Sequence, residues 1–96
     1  MKEIGDKDGK TILMFASKEG NFDIVETLLD DHGAEVNTTD QYGNTALAYA
    51  AEGGHLDITE CLIEHGADVS MAGDDGRTAL MGAKQEKHLD IVEILT

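Results

Sequence analysis

The feature that most restricts this chain is that it repeats itself. Three stretches fall into one register: "DGKTILMFASKEGNFDIVETLL" (8–29), "YGNTALAYAAEGGHLDITECLI" (42–63) and "DGRTALMGAKQEKHLDIVEIL" (75–95). Gly9, Gly43 and Gly76 are 34 and 33 residues apart, and Thr11, Thr45 and Thr78 keep the same spacing. Leu13, Leu47 and Leu80 are in phase, as are Ala16, Ala50 and Ala83, then Ile24, Ile58 and Ile91. "HGAEVN" (32–37) and "HGADVS" (65–70) also match, and the one extra residue sits in "LLDDHG" against "LIEHG", at a helix end that tolerates insertion. A period of this length belongs to a stacked array, in which no unit can bury its apolar side without a neighbour.

The content of each unit follows from local rules. Thr11, Thr45 and Thr78 precede apolar-periodic segments and can cap the free N–H groups of a helix start. About two turns follow, "ILMFASKE", "ALAYAAEG" or "ALMGAKQE", and then a break. In "NTALAYAAEGGHLDI" the break is Gly53-Gly54, because glycine in a helix interior costs roughly 1 kcal/mol against alanine. A second helix restarts at "FDIVETLLDD", "LDITECLIEH" or "LDIVEILT", with apolar residues three and four apart. Asp23, Asp57 and Asp90 lie in its first turn, where negative charge suits the helix dipole. Gly33 and Gly66 follow its end, where a left-handed residue commonly closes a helix. The segments "AEVNTTDQYGN" and "ADVSMAGDDGR" are turn-rich, with Val36 and Val69 expected to anchor a short extended hairpin.

Helices of two turns are unstable alone, so the units must lean on each other. The small pairs Ala16-Ser17 and Ala50-Ala51 allow close approach of the first helices, and Leu28, Leu62 and Leu95 are expected to fill the space beneath.

The pattern G-x-T-x-L-x-x-A, then G-H-x-x-I-V-x-x-L-L-x-x-G-A-D-V-N, resembles the ankyrin repeat, most closely in "GNTALAYAAEGGHLDITECLIEHGADVS". The resemblance covers residues 6–96 and implies a mostly α fold. That fold is an ankyrin-type solenoid of helix-turn-helix units joined by short β-hairpin fingers. The expected organisation is one domain over 1–96, with units at about 6–39, 40–72 and 73–96. The family's Thr-Pro-Leu-His reads "TILM", "TALA" and "TALM". Ile12, Ala46 and Ala79 replace the proline. Met14, Ala48 and Met81 replace the histidine, so apolar packing is expected to substitute for its hydrogen bonds. The third unit departs further. Gly73 stands where aspartate is usual, Gly82 weakens the first helix, Lys87 replaces the turn glycine, and Lys84 occupies a position that is small in the other units. These changes read as a terminal cap, although the last unit also fits one cut short.

Of the 96 residues, 41% are apolar and 28% charged, which suits a folded soluble domain. No apolar run approaches a membrane span and "MKEIGDKDGK" is not a signal peptide, so a cytoplasmic or similar reducing compartment is expected. Cys61 is the single cysteine, which excludes an internal disulfide framework. Seven basic against twenty acidic residues give −13. Residues 40–72 contain no Lys or Arg at all. Nucleic acid and anionic membrane are excluded as partners by sign. The charge either keeps a small monomer soluble or favours a basic protein partner.

Catalytic and metal chemistry find no support in the pattern. His32 and His65 share one repeat position, and His55 and His88 another. Equivalent positions on stacked helices lie roughly 8–10 Å apart, too far to share one zinc. His55 and His88 are expected to bond loop backbone near their turns. "DKDGK" (6–10) fails as a calcium loop, because the sixth and twelfth positions hold Thr11 and Ser17. Cys61 falls on the apolar side of its helix and reads as a buried thiol. Neither an enzyme nor a cofactor is expected.

The resemblance instead implies protein binding through a concave face of finger tips and first helices. By matching position, the tips are Lys7, Asp8 and Lys10, then Gln41, Tyr42 and Asn44, then Asp74, Asp75 and Arg77. The first helices add Lys18 and Glu19, Glu52, and Gln85 and Glu86. The expected contact set is Lys10, Lys18, Gln41, Tyr42, Asn44, Glu52, Asp74, Asp75, Arg77 and Gln85. These positions change type between units while core positions do not. Tyr42 is either a partner anchor or a ring lying over the neighbouring finger. Phe15, Phe22 and Tyr49 are assigned to packing. A second reading is an acidic decoy occupying a cationic site on an enzyme or DNA-binding protein.

Overall fold

The computed structural model describes residues 11–96. Among these residues, six helices follow in three antiparallel pairs. They are α1 (Ile12–Glu19) with α2 (Phe22–Asp30), α3 (Ala46–Gly53) with α4 (Leu56–Glu64), and α5 (Ala79–Gln85) with α6 (Leu89–Leu95). The threonines start them as the sequence predicts. Thr11, Thr45 and Thr78 are extended, and their hydroxyls accept from the N–H groups of Met14, Ala48 and Met81 at 3.2, 3.2 and 3.3 Å.

The helices stack in two rows. First helices meet first helices far more closely than second helices meet second. Side-chain size explains the difference: Ala16, Ser17, Ala50, Ala51 and Ala83 are all buried and let the backbones of the first row approach. Leu13, Leu47, Leu62, Ile58 and Ile91 fill the interior, each stabilising by about 1.5–3 kcal/mol relative to exposure. Leu62 is fully enclosed, whereas Leu28 and Leu95 are only half-buried. Among the described helices α2 has a second-row neighbour on one side only, and correspondingly Val25 is buried while Ile24 is exposed.

The turn inside each unit explains the glycines. Gly20 and Gly54 are left-handed (φ +79° and +80°), and Lys87 takes the same place with φ +62°. Of the doubled glycine, then, only Gly54 reverses the chain, while Gly53 is the last helical residue. Crowding adds a second requirement. A Cβ on Gly20 would lie 2.6 Å from the His55 ring, and one on Gly54 would lie 2.7 Å from the His88 ring. Each ring reaches back from the following unit. His55 Nε2 donates to the Lys18 carbonyl and His88 Nε2 to the Glu52 carbonyl, both at 3.0 Å. The expected backbone bond is present, but its acceptors are last-turn carbonyls of α1 and α3 rather than loop groups, and it crosses between units.

Three expectations need correction. The fingers are tight turns rather than extended hairpins: among the described residues the only strand-like pairing between named partners is a single bridge, Ala72 to Thr78. Asp40 N–H to the Asn44 carbonyl (3.0 Å) and Gly73 N–H to the Arg77 carbonyl (2.9 Å) close them. Val36 and Val69 accordingly lie in turns, and Val69 is exposed. Asn37 carries the connection instead, donating to the Gly66 carbonyl at 3.1 Å and accepting from Asp68 N–H at 2.8 Å. Phe15 is 42% exposed, so it is not chiefly a packing residue. Met14 is buried and does replace the family histidine by packing, but Met81 is 51% exposed and does not.

Candidate functional site

The site predicted from sequence lies on the side of the fingers and first helices. Lys10, with Lys7 and Asp8, falls outside the described residues. The finger between α2 and α3 is organised by Asp40, which is buried. Its carboxylate accepts from the N–H groups of Tyr42 (2.9 Å) and Asn44 (3.0 Å), and from the Tyr49 hydroxyl. Burial, reinforced by the hydrogen bond to Asp40 and its charge, pushes the Tyr49 phenol up to about 12. Tyr49 is thus half-buried and anchors the finger, in keeping with its assignment to packing.

This anchoring leaves the tip outward. Gln41 is exposed and Tyr42 is 52% exposed. The Tyr42 carbonyl accepts from Asp74 N–H at 2.8 Å, which ties the second finger to the third. A Cβ on Gly73 would sit 2.8 Å from Asn44 Oδ1 and 3.3 Å from the Tyr42 carbonyl, so a side chain there would displace the Asn44 amide.

Four of the predicted residues converge. Asn44 and Glu52 from the second unit, and Asp75 and Arg77 from the third, surround a cleft of about 90 Å³. Its remaining walls are Ala48, Thr78 and Gly82. Arg77 Nη2 lies 3.5 Å from Glu52 Oε2. Asp75 Oδ1 accepts from the Arg77 backbone N–H at 3.0 Å. Lys18 and Gln85 are exposed near the ends of α1 and α5, and Asp74 is exposed on the third finger. Gly82 was the residue missed as a wall. Its signal was available in the repeat register, where Phe15 and Tyr49 occupy the same position.

The second-helix side has a different character. α2, α4 and α6 carry Asp23, Glu26, Asp30, Asp57, Glu60, Glu64, Asp90 and Glu93, with no Lys or Arg. A groove of about 350 Å³ between α2 and α4 is lined by Phe22, Glu26 and Asp30 on one side and by Glu60, Cys61, Glu64 and His65 on the other. Burial, and then the charges of Asp30, Glu26 and Glu64, push the Cys61 thiol up, as suits an inert buried thiol rather than a nucleophile. His65 Nδ1 lies 2.9 Å from the Cys61 carbonyl and 3.9 Å from the Cys61 thiol, and Nε2 lies 2.7 Å from Asp30 Oδ1. Both nitrogens donate only in the imidazolium form. The Cys61 carbonyl and then Asp30 hold the His65 pKa above its ordinary value.

Six short helices in three pairs, the first of each pair capped by a threonine and successive pairs stitched by histidines, define a helical repeat protein. The profile of ankyrin repeats (three copies) matches residues 1–40 and 13–96, so the chain belongs to the ankyrin-repeat family. It is 38% identical over 60 residues to inversin of Danio rerio and 35% identical over 65 residues to inversin of Gallus gallus. These alignments take in 62% and 67% of this chain, and 6% of each relative. It is also 39% identical over 61 residues to the protein fem-1 homolog A-like of Mus musculus, covering 64% of this chain and 9% of that protein. The chain therefore spans less than a tenth of the length of these relatives. Ankyrin repeats generally mediate protein–protein interaction and are non-enzymatic. No helix among the described residues is long and apolar enough to cross a membrane.

Proposed function

We propose that this chain is a non-catalytic docking domain that binds a protein partner along the concave face of its fingers and first helices. The observation that carries the reading is the convergence of Asn44, Glu52, Asp75 and Arg77 beside the exposed Tyr42. These side chains come from two units and are not needed to fill the core. Lys18, Gln41, Asp74 and Gln85 extend the strip; Lys10, also in the expected contact set, lies outside the described residues. An interface of ordinary size, roughly 800 Å² per partner, is within reach of such a surface. The domain works as a monomer in a reducing, cytoplasm-like compartment, where the single buried Cys61 stays a thiol.

The test is Tyr42→Ala. Tyrosine supplies a large contact area at small entropic cost, so truncation should weaken a captured partner by more than about 1 kcal/mol. The melting temperature should hardly move, because the ring packs into no core. Unaltered affinity would remove Tyr42 from the interface. A large loss of stability would assign its ring to the neighbouring finger.

A second reading is favoured by the second-helix side, whose eight carboxylates face no Lys or Arg on those helices. A cationic surface docked there would be an acidic decoy's target. Its affinity would fall steeply with salt, whereas a tyrosine-centred contact would be less affected.

A further inference from the structure

The third unit lacks two side chains that the second unit joins together. Tyr49 and Asp40 make a hydroxyl–carboxylate hydrogen bond in the second unit; the same register positions in the third are Gly82 and Gly73. Phe15 fills the tyrosine position in the first unit. The ring and its anchor are therefore missing together in the third unit, and a cleft lies at that place. At about 90 Å³ it has room for about three waters, at roughly 30 Å³ each, or for one side chain.

From the walls of this cleft we infer that it is the anchor pocket for an aromatic side chain of the protein partner, stacked beside the Arg77 guanidinium. This deepens the concave-face reading and rests on it. Glu52 Oε2 lies 3.5 Å from Arg77, and Asp75 Oδ1 accepts from the Arg77 backbone N–H, so both carboxylates beside the cleft are already engaged by Arg77. The cation itself is held by Glu52, which disfavours a partner carboxylate. Arg77 Nη2 itself is buried against Glu52 and makes no hydrogen bond, while the side chain as a whole is 37% exposed, so the remainder of it is open to a π-face. The Ala48 methyl and the bare backbone at Gly82 supply the apolar part of a lining that otherwise consists of Asn44, Glu52, Asp75, Arg77 and Thr78. Tyr42, on the adjoining finger, would flank the entering ring.

The pocket can be closed without disturbing the stack. A Cβ on Gly82 would meet Glu52 Cβ at 3.5 Å and Arg77 Nη2 at 3.8 Å, which are ordinary contacts. Gly82→Tyr restores the residue type of the second unit and blocks the cleft from within. Gly82→Ala is the milder form, for use if the tyrosine variant fails to fold by circular dichroism.

The first experiment needs no partner. Wild-type protein, labelled with ¹⁵N, is titrated separately with N-acetyl-tyrosinamide, N-acetyl-leucinamide and N-acetyl-argininamide. Saturable shifts at Gly82, Ala48 and Arg77 Nε, about threefold tighter for the tyrosine probe than for the leucine probe, are expected. Loss of those shifts in the folded Gly82 variant is expected with them. No shift at these sites, equal response to leucine, or preference for the arginine probe overturns the proposal. The second experiment compares Gly82→Tyr with Tyr42→Ala against one captured partner. Both should weaken binding, the former by about tenfold or more. If only Tyr42→Ala weakens it, the anchor pocket is wrong and the concave face stands. If neither does, both readings fall.

Discussion

Gly54→Ala would test the joint between units most directly. Two separable costs follow from the structure. The left-handed backbone at φ +80° costs an alanine about 1–2 kcal/mol. The smaller entropy of its unfolded chain offsets roughly 0.4–1 kcal/mol of that. The new Cβ would also come 2.7 Å from the His88 ring and push it off the Glu52 carbonyl. Losing that hydrogen bond adds about 1 kcal/mol. The expected total is about 1–2.5 kcal/mol, a large share of the roughly 5–15 kcal/mol by which a folded domain is stable.

Urea unfolding followed by circular dichroism at 222 nm measures the loss. Gly76→Ala supplies the reference, because Gly76 is equally left-handed (φ +81°) and its Cβ would meet nothing within 4 Å. Gly54→Ala should cost about 1 kcal/mol more than Gly76→Ala. Equal costs would mean that the histidine contributes nothing to the joint, and the reasoning would fail.

Lys87→Gly should do the reverse and raise stability by about 0.5–1 kcal/mol, since it relieves the left-handed backbone at φ +62°; an unchanged urea midpoint would refute this. Unfolding free energies at successive pH values should show the His65–Asp30 contact. Because the folded pKa is raised, its contribution is complete below the unfolded value near 6.5 and disappears as pH rises through the folded value. His65→Gln should remove that component and leave the remaining pH dependence intact. Cys61, buried and raised in pKa, should react slowly with iodoacetamide at pH 8 and rapidly in urea, as mass spectrometry would show. Asp40→Ala strips the acceptor from two backbone N–H groups and the Tyr49 hydroxyl, and should cost about 2–4 kcal/mol by urea titration.

Much of the architecture was legible because the same local signals recur in phase. Thr11, Thr45 and Thr78 announced three helix starts, and each does cap one. The spacing of Ile58 and Ile91 placed both in the interior. The finger conformation was not legible from Val36 and Val69, because a valine between turn residues signals extended chain equally well when it is merely half-covered. Asp40, rather than either valine, shapes the finger, through its own hydrogen bonds to residues two, four and nine positions on. Phe15 was misjudged for a related reason. Its counterpart Tyr49 is held by Asp40, but a phenylalanine has no hydroxyl with which to use such an anchor. Of the contact strip, the composition of the tips could be read from register alone. The gathering of Asn44, Glu52, Asp75 and Arg77 around one cleft could not, since it depends on how the second and third units are spaced.

The backward reach of His55 to Lys18 and of His88 to Glu52, across 37 and 36 residues, gives assembly a direction. A chain made from its amino end completes each elbow before the imidazole that will latch it has been synthesised. The elbows at Gly20 and Gly54 therefore wait, loosely shut, for the next repeat to arrive. Consolidation then trails elongation by about one repeat length, and the newest segment is always the least secured.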